Sequence, residues 1–161
     1  MAVRLSDEQI AELISGSKSS PDVDALLGKL KPASGHLRAD VPVAAEGGRE
    51  FRLKLRQSQE DLLDFSVILV YHMPDSNKQF RLQRHNGSSH QHRNRIEHTT
   101  IDYHFHRHKA TERYQLLGAR EDGYAEVADD FYDLRSALRR ILEQCSFEIP
   151  HSPQLKLFEE S

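Results

Sequence analysis

The chain holds one cysteine, Cys145, and no tryptophan. A single thiol cannot close an internal disulfide, and it cannot supply the multi-cysteine cage of a zinc finger or ribbon. A lone cysteine also fits a reducing compartment, so a cytoplasmic location is expected. Long apolar runs are missing. The longest, Phe65-Ser66-Val67-Ile68-Leu69-Val70-Tyr71, is of strand length, against the roughly 20 residues that cross a bilayer. The N-terminus, MAVRLSDEQ, lacks the apolar stretch of a secretion signal, so no membrane partner is expected. No Walker loop, dinucleotide fingerprint, G-x-S-x-G elbow or H-E-x-x-H helix occurs, and the chemistries that depend on them have no basis here.

What the chain has is histidine. Ten occur in 161 residues, seven of them between His85 and His108. Imidazole both ligates metals and moves protons near neutral pH. The charge is also uneven. Residues 78–113 hold eight Lys/Arg against three acids, a net +5, while the rest holds 14 basic against 22 acidic residues, a net −8. The histidines thus lie in a basic island of an acidic protein, which draws an anionic partner to one face.

The periodicities predict an α+β fold. Ser6 and Gln9 have capping-box spacing ahead of a helix with Ile10, Leu13 and Ile14 on one face, ended by Gly16 and Ser17–Ser20. Pro21 opens a second helix with Val23, Leu26, Leu27 and Leu30 inward. Residues 1–31 read as a helical appendage, 32–48 (rich in Gly, Ala and Pro) as a linker or loop, 49–149 as the body and 150–161 as a tail. In the body, Phe51, Leu53 and Leu55 alternate with Arg52, Lys54 and Arg56, residues 65–73 form a continuous apolar strand, and Pro74–Asn77 is a turn. A third strand runs over Phe80–His85, and a fourth over 99–108. In the fourth, Asp102, His104, His106 and His108 face opposite to Ile101, Tyr103, Phe105 and Arg107. Thr111–Leu117 is open between strand and helix. Asp129 or Asp130 is expected to cap a last helix with the stripe Phe131, Leu134, Leu138, Ile141, Leu142 and Cys145. The expected architecture is an antiparallel sheet of four to five strands with the C-terminal helix on one face.

Two H-x-H pairs, His90/His92 and His104/His106, each set two rings on one side of an extended segment about 6.5–7 Å apart. His90, His92, His104 and His106 are therefore the acid/base candidates for metal-independent RNA cleavage, in which one ring takes the 2′-hydroxyl proton and another protonates the leaving oxygen. Arg84, Arg95 and Lys109 are the candidate phosphate ligands, and Tyr103 or Tyr114 the base-stacking residue. No cofactor is required by that reading. The alternative is zinc or another divalent transition metal held by His90, His92, Glu97, His104 and His106. His98 and His108 read as bystanders, and His36 and His151 as surface residues. Asn86-Gly87 is a turn signal.

The spacing Gly87…His90-x-His92…Glu97 resembles the metal motif of cupins, with a different gap after the glycine and no second half-motif. The stretch Arg84-His85-Asn86-Gly87, His90-Gln91-His92-Arg93-Asn94 and His104-Phe105-His106 resembles TumE-like toxins of toxin–antitoxin loci, with His85 where their aspartate stands. That resemblance covers residues 80–108 and a short C-terminal helix. It implies a toxin-like ribonuclease or RNA-binding module with RNA, another phosphate ligand or a cognate antitoxin as partner. A histidine-ligated metalloprotein and a non-catalytic protein-interaction module are the other two readings.

Overall fold

A computed structural model describes residues 4–148. The expected tail, with His151, lies outside the described residues. Ser6 Oγ accepts from the Gln9 amide at 3.1 Å and the Gln9 side chain accepts from the Ser6 amide at 2.9 Å, closing the capping box of α1 (Asp7–Ser15). There follow β1 (Lys18–Ser19), α2 (Val23–Leu27), β2 (Lys31–Ala33), β3 (His36–Ala44), β4 (Glu50–Ser58), β5 (Phe65–His72), β6 (Gln79–Asn86), β7 (His92–Asn94) and β8 (Thr99–Ile101). The described chain closes with β9 (His106–Lys109), α3 (Glu112–Leu116), β10 (Tyr124–Val127), α4 (Leu134–Gln144) and β11 (Phe147–Glu148).

Seven strands form one antiparallel sheet in the order β10-β9-β6-β5-β4-β3-β2, two to three more than expected. The hairpin β7-β8 is inserted between the neighbours β6 and β9 and pairs only with itself. The α+β class and the antiparallel sheet hold, and the differences have local causes. Residues 32–48 are mostly strand, not linker. Leu37, Ala39, Val41 and Val43 alternate with Arg38, Asp40 and Pro42, and β3 pairs along its whole length with β4. Proline and glycine obscured that period. Since β2 covers only His36–Arg38, Pro42 sits where β3 is a sheet edge, the place a strand tolerates proline. The expected strand over 99–108 is broken at 102–105, where Tyr103 takes a left-handed φ of 39° that a bulky side chain seldom adopts. Thr111 caps a helix, α3, and α4 is capped by Asp133 rather than Asp129 or Asp130.

The stripe of α4 (Leu134, Ala137, Leu138, Ile141, Leu142) and Cys145 are buried on β5 and β6, against Leu53, Val67, Leu69 and Leu82. Ile10 and Leu13 of α1 and Leu26 of α2 enter the same core. Ser17–Ser20, expected to end the first helix, contains β1, which pairs in parallel with β11. Lys18 is thereby buried at 1% exposure. Its Nζ donates to the carbonyls of Ile14 (3.0 Å), Gly16 (2.8 Å) and Cys145 (2.7 Å), and lies 4.9 Å from the Phe51 ring centroid. One cation thus caps the C-terminal ends of α1 and α4 together. Burial pushes its pKa down to about 8.

Gly87 follows β6 directly, donates to the Phe65 carbonyl at 3.0 Å, and leaves no room for a side chain. A Cβ there would stand 1.8 Å from the Leu63 carbonyl oxygen. Gly87→Ala is expected to lower stability by about 1–3 kcal/mol or more, read as a lower urea midpoint. An unchanged midpoint would show that the 59–64 loop does not press on β6.

Candidate functional site

The sheet register lines up two ladders on the face opposite α4. One runs Arg38, Arg56, Ser66, Asn86, His106 across β3, β4, β5, β6 and β9. Beside it runs Asp40, Lys54, Ile68, Arg84, His108. The face is cationic on β3 and β4 and imidazole-bearing on β9. An open pocket of about 580 Å³ covers the cationic half, with Arg38, Lys54, Arg56, Arg84, Asn86 and His90 in its lining and Asp40 as its acid. Arg38 stands directly opposite Arg56, an arrangement of like charges that costs stability unless an anion lies between them. Arg56 is balanced by Asp64 at 2.8 Å, but Arg38 has no carboxylate partner among the described residues.

The β7-β8 hairpin brings two more rings to the other half. Asn94 side-chain Nδ2 donates to the Ala125 carbonyl (2.7 Å) and its Oδ1 accepts from the Ala125 amide (2.8 Å), so one side chain pairs with the β10 edge as a strand would. His92 Nε2–H donates to the Gly123 carbonyl at 2.8 Å. With β7 so pinned, four imidazoles pack together. Ring centroids are 4.6 Å apart for His92–His108, 5.1 Å for His106–His108, 5.0 Å for His90–His106 and 5.9 Å for His92–His106.

The protons on these rings are fixed by their neighbours, because a carbonyl can only accept. His106 Nδ1–H donates to the His104 carbonyl (2.9 Å) and His108 Nδ1–H to the Asp122 carbonyl (2.7 Å). Burial pushes the pKa of His106 down to about 4 and, with Arg84 nearby, that of His108 to about 2. Both are neutral at physiological pH. Partial desolvation also lowers His90. Asp122 itself is wholly buried, 2.9 Å from Arg84, with Arg120 at 3.5 Å and Arg81 at 3.7 Å. Neither of its oxygens nor Arg84 Nε has an aligned hydrogen-bond partner, so the attraction is charge on charge.

The candidate residues are therefore only partly assembled. His90, His92 and His106 meet, and His108, read as a bystander, joins them. His104 is exposed in the segment that breaks the expected strand, and its backbone rather than its ring serves the cluster. Glu97 is taken by Tyr114 Oη (2.7 Å) and Arg113 (2.8 Å), so it is not a fourth ligand in this arrangement. Among the described residues, no group of three or more His, Cys, Asp or Glu side chains is placed to hold a metal ion. Arg84 lies in the pocket, Arg95 is exposed outside its lining, and Lys109 pairs with Glu126 at 2.9 Å. Tyr114 is buried, whereas Tyr103 is 62% exposed. His98 is exposed. Arg38, Lys54, Arg56 and Asn94 were not singled out in the sequence. The strand alternation over 51–56 did place Lys54 and Arg56 on one face, but nothing local marks the partner strand.

His85 goes to the opposite, core face. It stacks on Phe131 at 4.8 Å, Nδ1–H donates to the Ala137 carbonyl (2.9 Å), and Nε2 accepts from Arg107 Nε (3.0 Å). Arg107 in turn grips Asp130 with two contacts of 2.7 Å. Burial and the Arg107 charge push the pKa of His85 down to about 4.

No helix among the described residues is long and apolar enough to cross a membrane. No family model matches the chain, and neither a curated protein nor a solved structure matches it.

Two outcomes follow from the geometry. The unfolded chain takes a proton on His85 near pH 6.5 and the folded one only near 4, so stability falls as pH drops through that window, by about 3 kcal/mol from His85. Burial opposes the ionised form of Asp130, but the Arg107 hydrogen bond prevails and holds its pKa low, adding a loss of the same sign at lower pH. Urea midpoints at pH 7 and 4.5 check this; equal values would contradict the buried neutral ring. Second, Asn94→Ala should cost about 1–3 kcal/mol and deprotect the Ala125 amide to hydrogen exchange, since a buried pair of backbone groups loses its partner.

Proposed function

We propose that the protein is an RNA-binding module, of the toxin-like ribonuclease kind, that grips a sugar–phosphate backbone on the ladder face. The observation that carries this reading is the row of cations Arg38, Lys54, Arg56 and Arg84 lining one open pocket beside a bank of imidazoles. Phosphate oxygens supply the negative charge that Arg38 lacks beside the Asp64-paired Arg56. The strand's 2′-hydroxyls then fall toward His90 and Asn86, which line the pocket, and toward His106, whose ring packs on His90. Tyr103 stands exposed on the loop leading into β9 and offers a stacking surface to a base.

Cleavage on this face divides between two rings. His90, which lines the pocket, gives a proton to the leaving 5′-oxygen, and neutral His106, wholly buried behind that ring, takes the 2′-hydroxyl proton through one water. Giving a proton requires a protonated ring, and a phosphate anion seated beside His90 favours that form. A cognate antitoxin belongs to the same reading, as a protein that covers the ladder face.

Anisotropy titration of a labelled 20-mer RNA at several salt concentrations tests the binding. Arg38→Ala with Arg56→Ala should weaken it at least tenfold and flatten the salt slope by about 0.7 per lost contact. Equal affinity and slope in the double variant would overturn the proposal. Incubation of RNA with the protein in EDTA tests the chemistry. Product formation that survives His90→Ala would remove His90 from it.

A further inference from the structure

Two buried polar atoms of residues that line the cationic pocket lack a hydrogen-bond partner, Arg84 Nε and Asn86 Oδ1. One is a donor and the other an acceptor. They belong to residues two apart on β6, and the register with Ile68 and Ser66 puts both on the open face. Burying such a group unpaired is unfavourable, and here a donor and an acceptor are left unpaired side by side.

The neighbours fix which atoms are left over. Arg84 meets Asp122 through Nη2 at 2.9 Å, which leaves Nε unused. His106 Nδ1–H is committed to the His104 carbonyl, so its Nε2 is a lone pair. The Asn86 atom 3.4 Å from that lone pair is therefore the amide nitrogen Nδ2, and Oδ1 is turned away from it. Asn86 as a whole is only 6% exposed, so this amide is held rather than free to flip.

The chemistry of the pair restricts what answers it. A phosphate oxygen accepts from Arg84 Nε but repels Asn86 Oδ1. A cation suits Asn86 Oδ1 but is repelled by Arg84. A neutral hydroxyl serves both, accepting from Nε–H while its own proton goes to Oδ1. Two such bonds of about 2.7–3.0 Å together span a little less than the roughly 6.5–7 Å between same-face residues of a strand.

From this arrangement we infer that Arg84 and Asn86 read the 2′-hydroxyl of a ribose and make the pocket select RNA over DNA. The inference rests on the backbone grip proposed above. The 2′-hydroxyl is on the carbon next to the one that bears the 3′-phosphate, so a strand gripped by Arg38, Lys54 and Arg56 carries it into the same pocket. A hydroxyl held on Oδ1 keeps its proton, so the ribose read here flanks the one attacked in cleavage. Both atoms are closed off in the free protein, and the lining has to give to admit the sugar. His90 is the member able to do so, being exposed and held by packing on His106 and one 3.5 Å contact to Ser89 Oγ.

The experiment measures, by anisotropy on the full chain, three labelled single strands of one sequence: RNA, DNA and 2′-O-methyl RNA. RNA is expected to bind at least tenfold more tightly than DNA, because a strand without the hydroxyl leaves both protein groups unpaired. The 2′-O-methyl strand keeps the oxygen but not its proton, and is expected to bind no better than DNA. Asn86→Ala should narrow the gap between RNA and DNA to less than about threefold, the effect of losing the acceptor. Arg84→Lys, which keeps a cation beside Asp122 but has no guanidinium Nε–H, should narrow it as well. A merely structural role for either residue would weaken both strands alike and keep the gap. The modified strands need no variant, so they decide the matter even where Asn86→Ala fails to fold. Equal affinity of the wild-type protein for RNA and DNA, weakened alike by Arg38→Ala with Arg56→Ala, would overturn the inference and leave the backbone grip standing. A 2′-O-methyl strand that binds as RNA does, or an RNA preference indifferent to Asn86→Ala, would also overturn it. No affinity for any of the strands would overturn both.

Discussion

A buried carboxylate has to find positive charge, because an uncompensated ion inside a protein costs several kcal/mol. Asp122 meets that constraint with Arg84, and much of the polar face follows from it. Arg84 is drawn to the rim of the pocket while its partner stays beneath. The same residue's backbone carbonyl takes the Nδ1–H of His108 and so sets that ring's tautomer. Its neighbour Gly123 does the same for His92, and Ala125 two residues on holds Asn94. A single loop-and-strand segment, 122–125, thus fixes a cation, two imidazoles and the hairpin that carries one of them.

The sheet separates two uses of the same residue types. On the core face, His85, Arg107 and Asp130 form a closed network in which each charge and each ring nitrogen is answered, tying β6 and β9 to α4. On the open face, Arg38 lacks a carboxylate among the described residues, and one nitrogen each of His92 and His108 has no side-chain or backbone donor there. The residues are chemically alike, and what differs is whether the fold supplies their counterparts. Groups that the fold leaves unanswered are where a ligand contributes most, since it satisfies them without displacing a protein partner.

The sheet's central strands were legible because alternation is a local signal: Phe51, Leu53 and Leu55 against Arg52, Lys54 and Arg56 declare both a strand and its inner face. The α4 stripe and the α1 capping box are legible for the same reason. The strand β3 was hidden because Pro42 and small residues dilute its period, and β1 because two residues carry no period at all. The strand around His104 failed for a different reason. The alternation is continuous in the sequence, but Tyr103 turns left-handed and resets which residues share a face, sending His104 to solvent while leaving His106 and His108 together.

Readable from the chain alone are its α+β class, an apolar helix stripe, a basic and histidine-rich segment, and the lack of an internal disulfide. These are matters of composition and of spacing along one strand or helix, where neighbours are set by 2.0 or 3.6 residues per repeat. It takes the folded sheet to bring Arg38 and Arg56 beside the histidines, to put His108 in the cluster in place of His104, and to turn His85 and Arg107 inward. Those relations depend on strand order and register, and on Asn94 pinning a hairpin to an edge strand some thirty residues away. Contacts of that kind arise from pairing between segments, which no single segment encodes.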